Sequence, residues 1–102
     1  MPLRTIYRPQ ANTDLDDIFS FILNNGGSAD SAYHYVERIR AFCDSLVTFP
    51  HRGTKRDDIR PGLRLTGFER RVTIAFTVEE DRVLILRLFY AGRDIDMLND
   101  EF

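Results

Sequence analysis

The apolar residues of this chain repeat with helical spacing before Pro50 and with strand spacing after it. The two periods demand different elements, so the fold must set helices against a sheet. Between Gln10 and Asn25, Ala11, Leu15, Ile18 and Ile22 recur three or four residues apart, and Phe19 and Phe21 widen the stripe. Asp14, Asp16 and Asp17 would favour the first turns of this helix through its dipole. Gly26-Gly27 stops it, and Ser28 can cap a second helix. On that second helix Ala32, Tyr35, Val36, Ile39, Phe42, Cys43, Leu46 and Phe49 mark the apolar side until Pro50 prevents continuation. So short a link makes the two pack as a hairpin.

Strand signals flank this pair. Leu3 to Tyr7 is a short run of strand formers ended by Pro9, which itself suits a first helical turn. After Pro50, Leu63 to Phe68 reads as the first strand of a meander. Val72, Ile74, Phe76 and Val78 then alternate with Arg71, Thr73, Ala75 and Thr77, the pattern of a strand with one buried face. Glu79-Glu80-Asp81 supplies a polar turn. Arg82 to Phe89 is almost wholly apolar and reads as a central strand covered on both faces. From Ala91 onward the chain is polar and reads as loop. The expected architecture is α+β, in the order β-α-α-β-β-β: a short N-terminal strand and a two-helix hairpin packed on an antiparallel sheet, forming one domain over residues 1–102.

Of the 102 residues 43% are hydrophobic, enough for one modest core. A domain this small gains stability from any partner that covers leftover apolar area. Phe19, Phe21, Leu23, Phe42 and Phe49 give the helices wider apolar coverage than a thin sheet requires; they either fill the core or leave a patch for an amphipathic partner. The absence of a leader and of a long apolar run points to a soluble, cytoplasmic protein. The single Cys43 excludes an internal disulfide and reads as core filling or a reactive thiol. His34 and His51 stand far apart with no neighbouring cysteine, so no metal site or cofactor is expected.

Charge is unevenly spread. Arg52, Lys55, Arg56, Arg60, Arg64, Arg70 and Arg71 stand against Asp57, Asp58 and Glu69, a local excess of four positive charges on a chain whose net charge is −2. These cations either form a solvated face or receive a polyanion or an acidic protein segment. A pI near 5.6 argues against direct DNA binding by the chain alone.

Several motifs, taken in order, resemble the RelE/ParE superfamily of toxins from bacterial toxin–antitoxin pairs, and within it the ParE branch of plasmid-stabilisation proteins. They are Ala11 with Asp14-Leu15 and Ile18; Phe49-Pro50-His51-Arg52-Gly53; Leu63-Arg64; and Phe89-Tyr90-Ala91-Gly92-Arg93-Asp94. The resemblance implies a toxin that inhibits DNA gyrase and is neutralised by a ParD-like ribbon-helix-helix antitoxin. The apolar surplus and basic face would then supply antitoxin contacts at Leu15, Phe19, Ile22, Phe42, Arg64 and Arg71, and target contacts at Arg56, Arg60, Arg87 and Arg93.

The RelE branch implies an enzyme instead, a ribosome-dependent mRNA endoribonuclease. Such chemistry needs a proton acceptor, a proton donor and cations facing the phosphorane charge. Arg56, Arg64, Arg87 and Arg93 could serve as the cations, with Tyr90 the nearest proton carrier. An ordinary tyrosine is a poor base near neutral pH, and the acidic residues of the tail would repel an RNA backbone. No catalytic residue is therefore expected on the ParE reading. A third reading is a basic-patched binding module without toxicity.

Overall fold

The computed structural model describes residues 3–90. Strand β1 spans Arg4–Tyr7, helix α1 Pro9–Asn24 and helix α2 Ala29–Ser45. Strands β2 (Thr54–Lys55), β3 (Leu63–Phe68), β4 (Val72–Val78) and β5 (Arg82–Tyr90) follow. They form one five-stranded sheet in the order β1-β5-β4-β3-β2. From β5 to β2 every neighbour is antiparallel, but β1 lies parallel to β5, with Arg4 opposite Arg82 and Tyr7 opposite Ile85. The sheet is thus mixed rather than antiparallel throughout. The reason is the helical hairpin: it returns the chain to the side at which β1 ended, so β2 runs opposite to β1 and, after the alternating β3 and β4, β5 runs in the same direction as β1.

The helices start and stop where local chemistry directs. Pro9 occupies the first turn of α1, and Gly26, with φ +94°, carries the chain out of it. The Ser28 hydroxyl accepts from the Ser31 N–H while the Ser31 hydroxyl accepts from the Ser28 N–H, a reciprocal cap for α2. α2 ends at Ser45, one turn before Pro50. Leu46, Val47 and Thr48 bond three residues back as isolated turns, because proline restricts the residue before it and donates no bond. Two residues of β2 were not evident as a strand, and Gly53 explains how they reach β3: a Cβ there would lie 2.2 Å from the Leu65 carbonyl oxygen. Only glycine allows that approach.

Both faces of the sheet are apolar at its centre. One carries Val72, Ile74, Phe76, Val83, Ile85 and Leu88 against Ala11, Leu15, Ile18, Val36, Ile39 and Cys43 of the helices. The other packs Leu63, Ala75, Leu86 and Phe89 with Ile59, Leu65 and Leu84. β4 is therefore buried on both faces, not on one as its alternation suggested, and its register against β5 shifts between Ala75 and Phe76.

The acidic start of α1 also differs from expectation. Asp14 is 2% exposed, and its carboxylate accepts from Arg87 Nε at 2.8 Å, from Arg87 Nη2 at 3.1 Å and from the Leu88 N–H at 2.9 Å. It ties α1 to the last residues of β5, which extend past the end of β1. Replacing Asp14 by alanine strands a buried guanidinium and a buried N–H, and should lower stability by about 3–5 kcal/mol, read from urea midpoints at unchanged slope. The double change Asp14→Leu with Arg87→Met should cost less than the single one, leaving roughly 1–3 kcal/mol for the orphaned Leu88 amide.

At the tip of the β3–β4 hairpin Glu69 (φ 49°) and Arg70 (φ 63°) both adopt the left-handed conformation. Glycine and asparagine usually hold such positions. Arg70→Gly should therefore raise the unfolding free energy by about 1 kcal/mol in the same assay.

Candidate partner-docking site

Strand alternation sends Phe68 and Tyr90 to the helix side of the sheet, level with each other across Val72. There they meet aromatic side chains from both helices. Phe21 of α1 stands edge-on to Tyr90 with ring centroids 5.2 Å apart, and Tyr90 meets Tyr35 of α2 at 5.8 Å. Tyr35 is 6.3 Å from Phe68, and Phe68 is 5.1 Å from Phe42. A continuous row of rings thus runs between the C-terminal parts of the two helices. Edge-on and tilted contacts suit ring quadrupoles, so the row is stiff as well as apolar.

Beside the row lies an open groove of about 540 Å³, walled by Ile22, Tyr35, Arg38, Glu69, Arg71 and Tyr90. Its polar lip is fixed by a two-pronged pair, Arg38 Nε to Glu69 Oε2 at 2.9 Å and Arg38 Nη2 to Glu69 Oε1 at 3.1 Å. Hydrogen bonding from Arg38 holds the Glu69 carboxyl below its ordinary range. The Arg38 guanidinium also lies over the Tyr35 ring at 5.0 Å. Burial, then the neighbouring Tyr90, raises the Tyr35 phenol. The groove combines an apolar floor with cationic and anionic groups at its rim, the make-up of a surface that receives a protein segment.

The expected site residues fall into distinct places. Ile22 and Arg71 wall the groove, and Phe42 ends the row of rings. Phe19 is half-buried against the core. Leu15, expected at the docking surface, is 1% exposed; it faces the sheet and supports α1 from below. Arg87, expected among the target contacts, is 7% exposed and paired with Asp14. Arg56 makes a two-pronged pair with Asp58, and its backbone N–H bonds the Leu63 carbonyl. Arg60 accepts the Leu63 N–H at its carbonyl in the same loop. Arg64 donates to the Arg52 carbonyl at 3.3 Å and approaches His51 Nδ1 at 3.4 Å. Arg93 lies outside the described residues, as does the Ala91-Gly92-Arg93-Asp94 part of its motif.

Of the residues suggested for phosphate chemistry, the proton carrier Tyr90 stands apart from Arg64 along the sheet. Tyr90 is level with Phe68, four residues along β3 from Arg64, or roughly 13 Å at strand spacing. Tyr35, Arg38 and Glu69 were not foreseen as site residues. Tyr35 and Arg38 share a helix face at i, i+3 spacing, which was legible, but their meeting with Glu69 depends on how the hairpin packs.

A sequence profile described as ParE toxin of type II toxin-antitoxin system, parDE, matches residues 5–95. The chain belongs to the ParE toxin family. It is 32% identical over 85 residues to Toxin ParE3 of Caulobacter vibrioides, covering 83% of each sequence. Its fold is similar to that of a chain from the chromosomal ParDE system of P. aeruginosa, with a TM-score of 0.75 at 24% identity over 88% of this chain and 97% of the other. It is also similar to a chain of the RelBE2 toxin–antitoxin complex of Mycobacterium tuberculosis, with a TM-score of 0.63 at 14% identity over 88% and 99% of the two chains. The toxin thus has the superfamily's arrangement of two helices on a mixed sheet. No helix among its described residues is long and apolar enough to cross a membrane.

Cys43 lies under this surface, fully buried on α2. Burial pushes its thiol up to about 11, with Asp44 adding to the rise and Tyr7 and Arg40 opposing it. The Tyr7 phenol is also raised, again chiefly by burial. Both groups stay neutral longer in the folded chain than in the unfolded one. The contribution of Cys43 to stability is therefore full below the unfolded thiol value near 8.5 and is lost as pH rises to about 11, while that of Tyr7 is lost only at higher pH. At pH 8 Cys43 should react with an aromatic disulfide reagent at least about 100-fold more slowly than in the urea-unfolded chain. Equal rates would show an accessible thiol.

Proposed function

We propose that the toxin acts by binding DNA gyrase, without bond-breaking chemistry of its own, and that a ParD-like ribbon-helix-helix antitoxin keeps it silent by laying a C-terminal segment along the groove. The observation that carries this reading is the match of residues 5–95 to ParE toxins. Support comes from two solved relatives whose descriptions name a ParDE system and a RelBE2 toxin–antitoxin complex. The groove suits such a segment: Ile22, Tyr35 and Tyr90 offer an apolar seat, and Arg71 at the rim can take a carboxylate. The phosphate-stabilising set of a nuclease finds less support. Arg87 is committed to Asp14, Arg56 holds Asp58, and Tyr90 sits among rings some distance from Arg64.

Induced alone, the chain should arrest growth with its messages intact, and co-expression of the neighbouring antitoxin should restore growth. The purified chain should inhibit gyrase supercoiling. Ile22→Asp, on the groove wall, should weaken antitoxin binding at least about 10-fold, or 1.4 kcal/mol, while the melting curve stays cooperative. Message cleavage on translating ribosomes would overturn the reading in favour of a RelE-like nuclease. Harmless expression without antitoxin would favour a non-toxic binding module.

A further inference from the structure

Beyond the groove, the segment that leads from α2 into β2, together with β3, carries a second set of groups, an exposed ring and cations without a carboxylate partner among the described residues. Phe49 is 65% exposed, the most exposed large hydrophobic residue among those described. It follows the last turn of α2, where its N–H still bonds the Ser45 carbonyl, so its backbone is fixed while its ring faces solvent. Cations follow it closely in the chain, Arg52 three residues on, with Arg64 and Lys55 linked to Arg52 through β2 and β3. Arg64 bonds the Arg52 carbonyl and approaches His51, and Arg52 donates to Ser45 Oγ at 3.2 Å with its guanidinium 5.0 Å over the Phe42 ring. Lys55 sits directly opposite Arg64 in the β2–β3 pair, so both side chains leave the same face of the sheet.

Among the described residues, no carboxylate comes within ion-pair distance of Arg52, Lys55 or Arg64. Several other arginines are matched by carboxylates: Arg38 by Glu69, Arg56 by Asp58, Arg82 by Glu79, Arg87 by Asp14. Like charges placed opposite one another across a strand pair are unfavourable. The cost is relieved when carboxylates arrive from outside, and an exposed aromatic ring beside arginine is the composition that dominates protein–protein hot spots. A nucleic acid fits less well, because the patch is small, Asp57 and Asp58 flank it, and the whole chain is acidic.

We infer that Phe49, with Lys55, Arg64 and Arg52, forms a docking surface, separate from the antitoxin groove, for an acidic protein segment that carries an apolar anchor. The segment's aliphatic or aromatic side chain covers Phe49 and its carboxylates pair with the cations. This surface engages the protein on which the toxin acts, an assignment that rests on the reading of the chain as a non-catalytic inhibitor.

Two measurements test it. In the first, the full-length chain freed of antitoxin is titrated with a 12-residue peptide of alternating glutamate and leucine and followed by amide NMR. Shifts should concentrate at residues 49–55 and 64, and a lysine–leucine peptide should leave them unmoved. Shifts confined to the groove, or none, would overturn the inference, as would a single-stranded oligonucleotide that binds the same residues more tightly than the peptide. In the second, Phe49→Ala and Lys55→Glu are compared with the parent for gyrase inhibition, antitoxin binding and thermal melting. Both positions are exposed, so melting should be unchanged; inhibition should fall at least about 10-fold and antitoxin binding should persist. Variants that inhibit like the parent would refute the surface, and variants that lose the antitoxin instead would assign it to the antitoxin. If the parent itself does not inhibit gyrase, the choice of target fails, and the peptide titration still decides whether the surface exists.

Discussion

The Asp14 carboxylate does the work of a missing strand. β1 ends at Tyr7 because Pro9 begins a helix, whereas β5 runs on to Tyr90. The last bond from the β1 side is made by the Arg8 N–H to the Ile85 carbonyl. Beyond it the outer edge of β5 would be a row of unpaired backbone groups. Asp14 accepts the Leu88 N–H there and balances its own charge with the Arg87 guanidinium. A buried ion pair gives little net stability over an apolar one, but it is intolerant of misplacement. That intolerance fixes the height and direction of α1 on the sheet.

The groove inherits its geometry from that anchor. Phe21 lies seven residues beyond Asp14, close to two helical turns or about 10 Å. Tyr90 lies two residues beyond Leu88, about 7 Å along β5. Both advance from the same point, so their rings meet at 5.2 Å, and Tyr35 closes on Tyr90 from α2. The hairpin tip supplies the opposite lip. Glu69 pays for its left-handed backbone by reaching Arg38 with both carboxylate oxygens, and the following Arg71 is thereby set at the groove wall. Strain of this kind persists only where surrounding contacts over-determine it, and it recurs at functional surfaces.

Most of the secondary structure was legible because local chemistry decided it. Ser28, Gly26 and the polar turn at Glu79-Glu80-Asp81 punctuate the chain in ways that need no tertiary knowledge: the first two separate α1 from α2, and the turn ends β4 before β5. What was hidden was tertiary. A carboxylate in the early turns of a helix reads the same whether it serves the helix dipole or is buried against a strand edge, so Asp14 gave no sign of its partner. The direction of β1 is set by the path of the helices, and β2 is too short to show a period. Arginines near one another in sequence looked like one basic face, yet Arg56 and Arg87 are matched by carboxylates while, among the described residues, Arg52 and Arg64 are not. The patch around Phe49 could be named only once the exposure of its ring was known, although Phe49 had already been counted among the apolar surplus.

Silencing and action can share one rigid strand without sharing one surface. β3 carries Phe68 at the groove end and Arg64 at the cationic end, about 13 Å apart, and both point to the helix side. Arg52 joins the two, since its guanidinium stands over Phe42, the last ring of the row, while its carbonyl receives Arg64. From Phe21 to Phe42 the row takes four ring-to-ring steps of 5.1–6.3 Å, a path no longer than about seven residues of extended chain or four turns of helix. A longer partner segment would come up against Arg52 at the boundary between the two surfaces. A shorter one fills the groove and leaves Phe49 open. On the proposed docking, the reach of a bound segment would decide whether it blocks the cationic corner or leaves that corner able to bind.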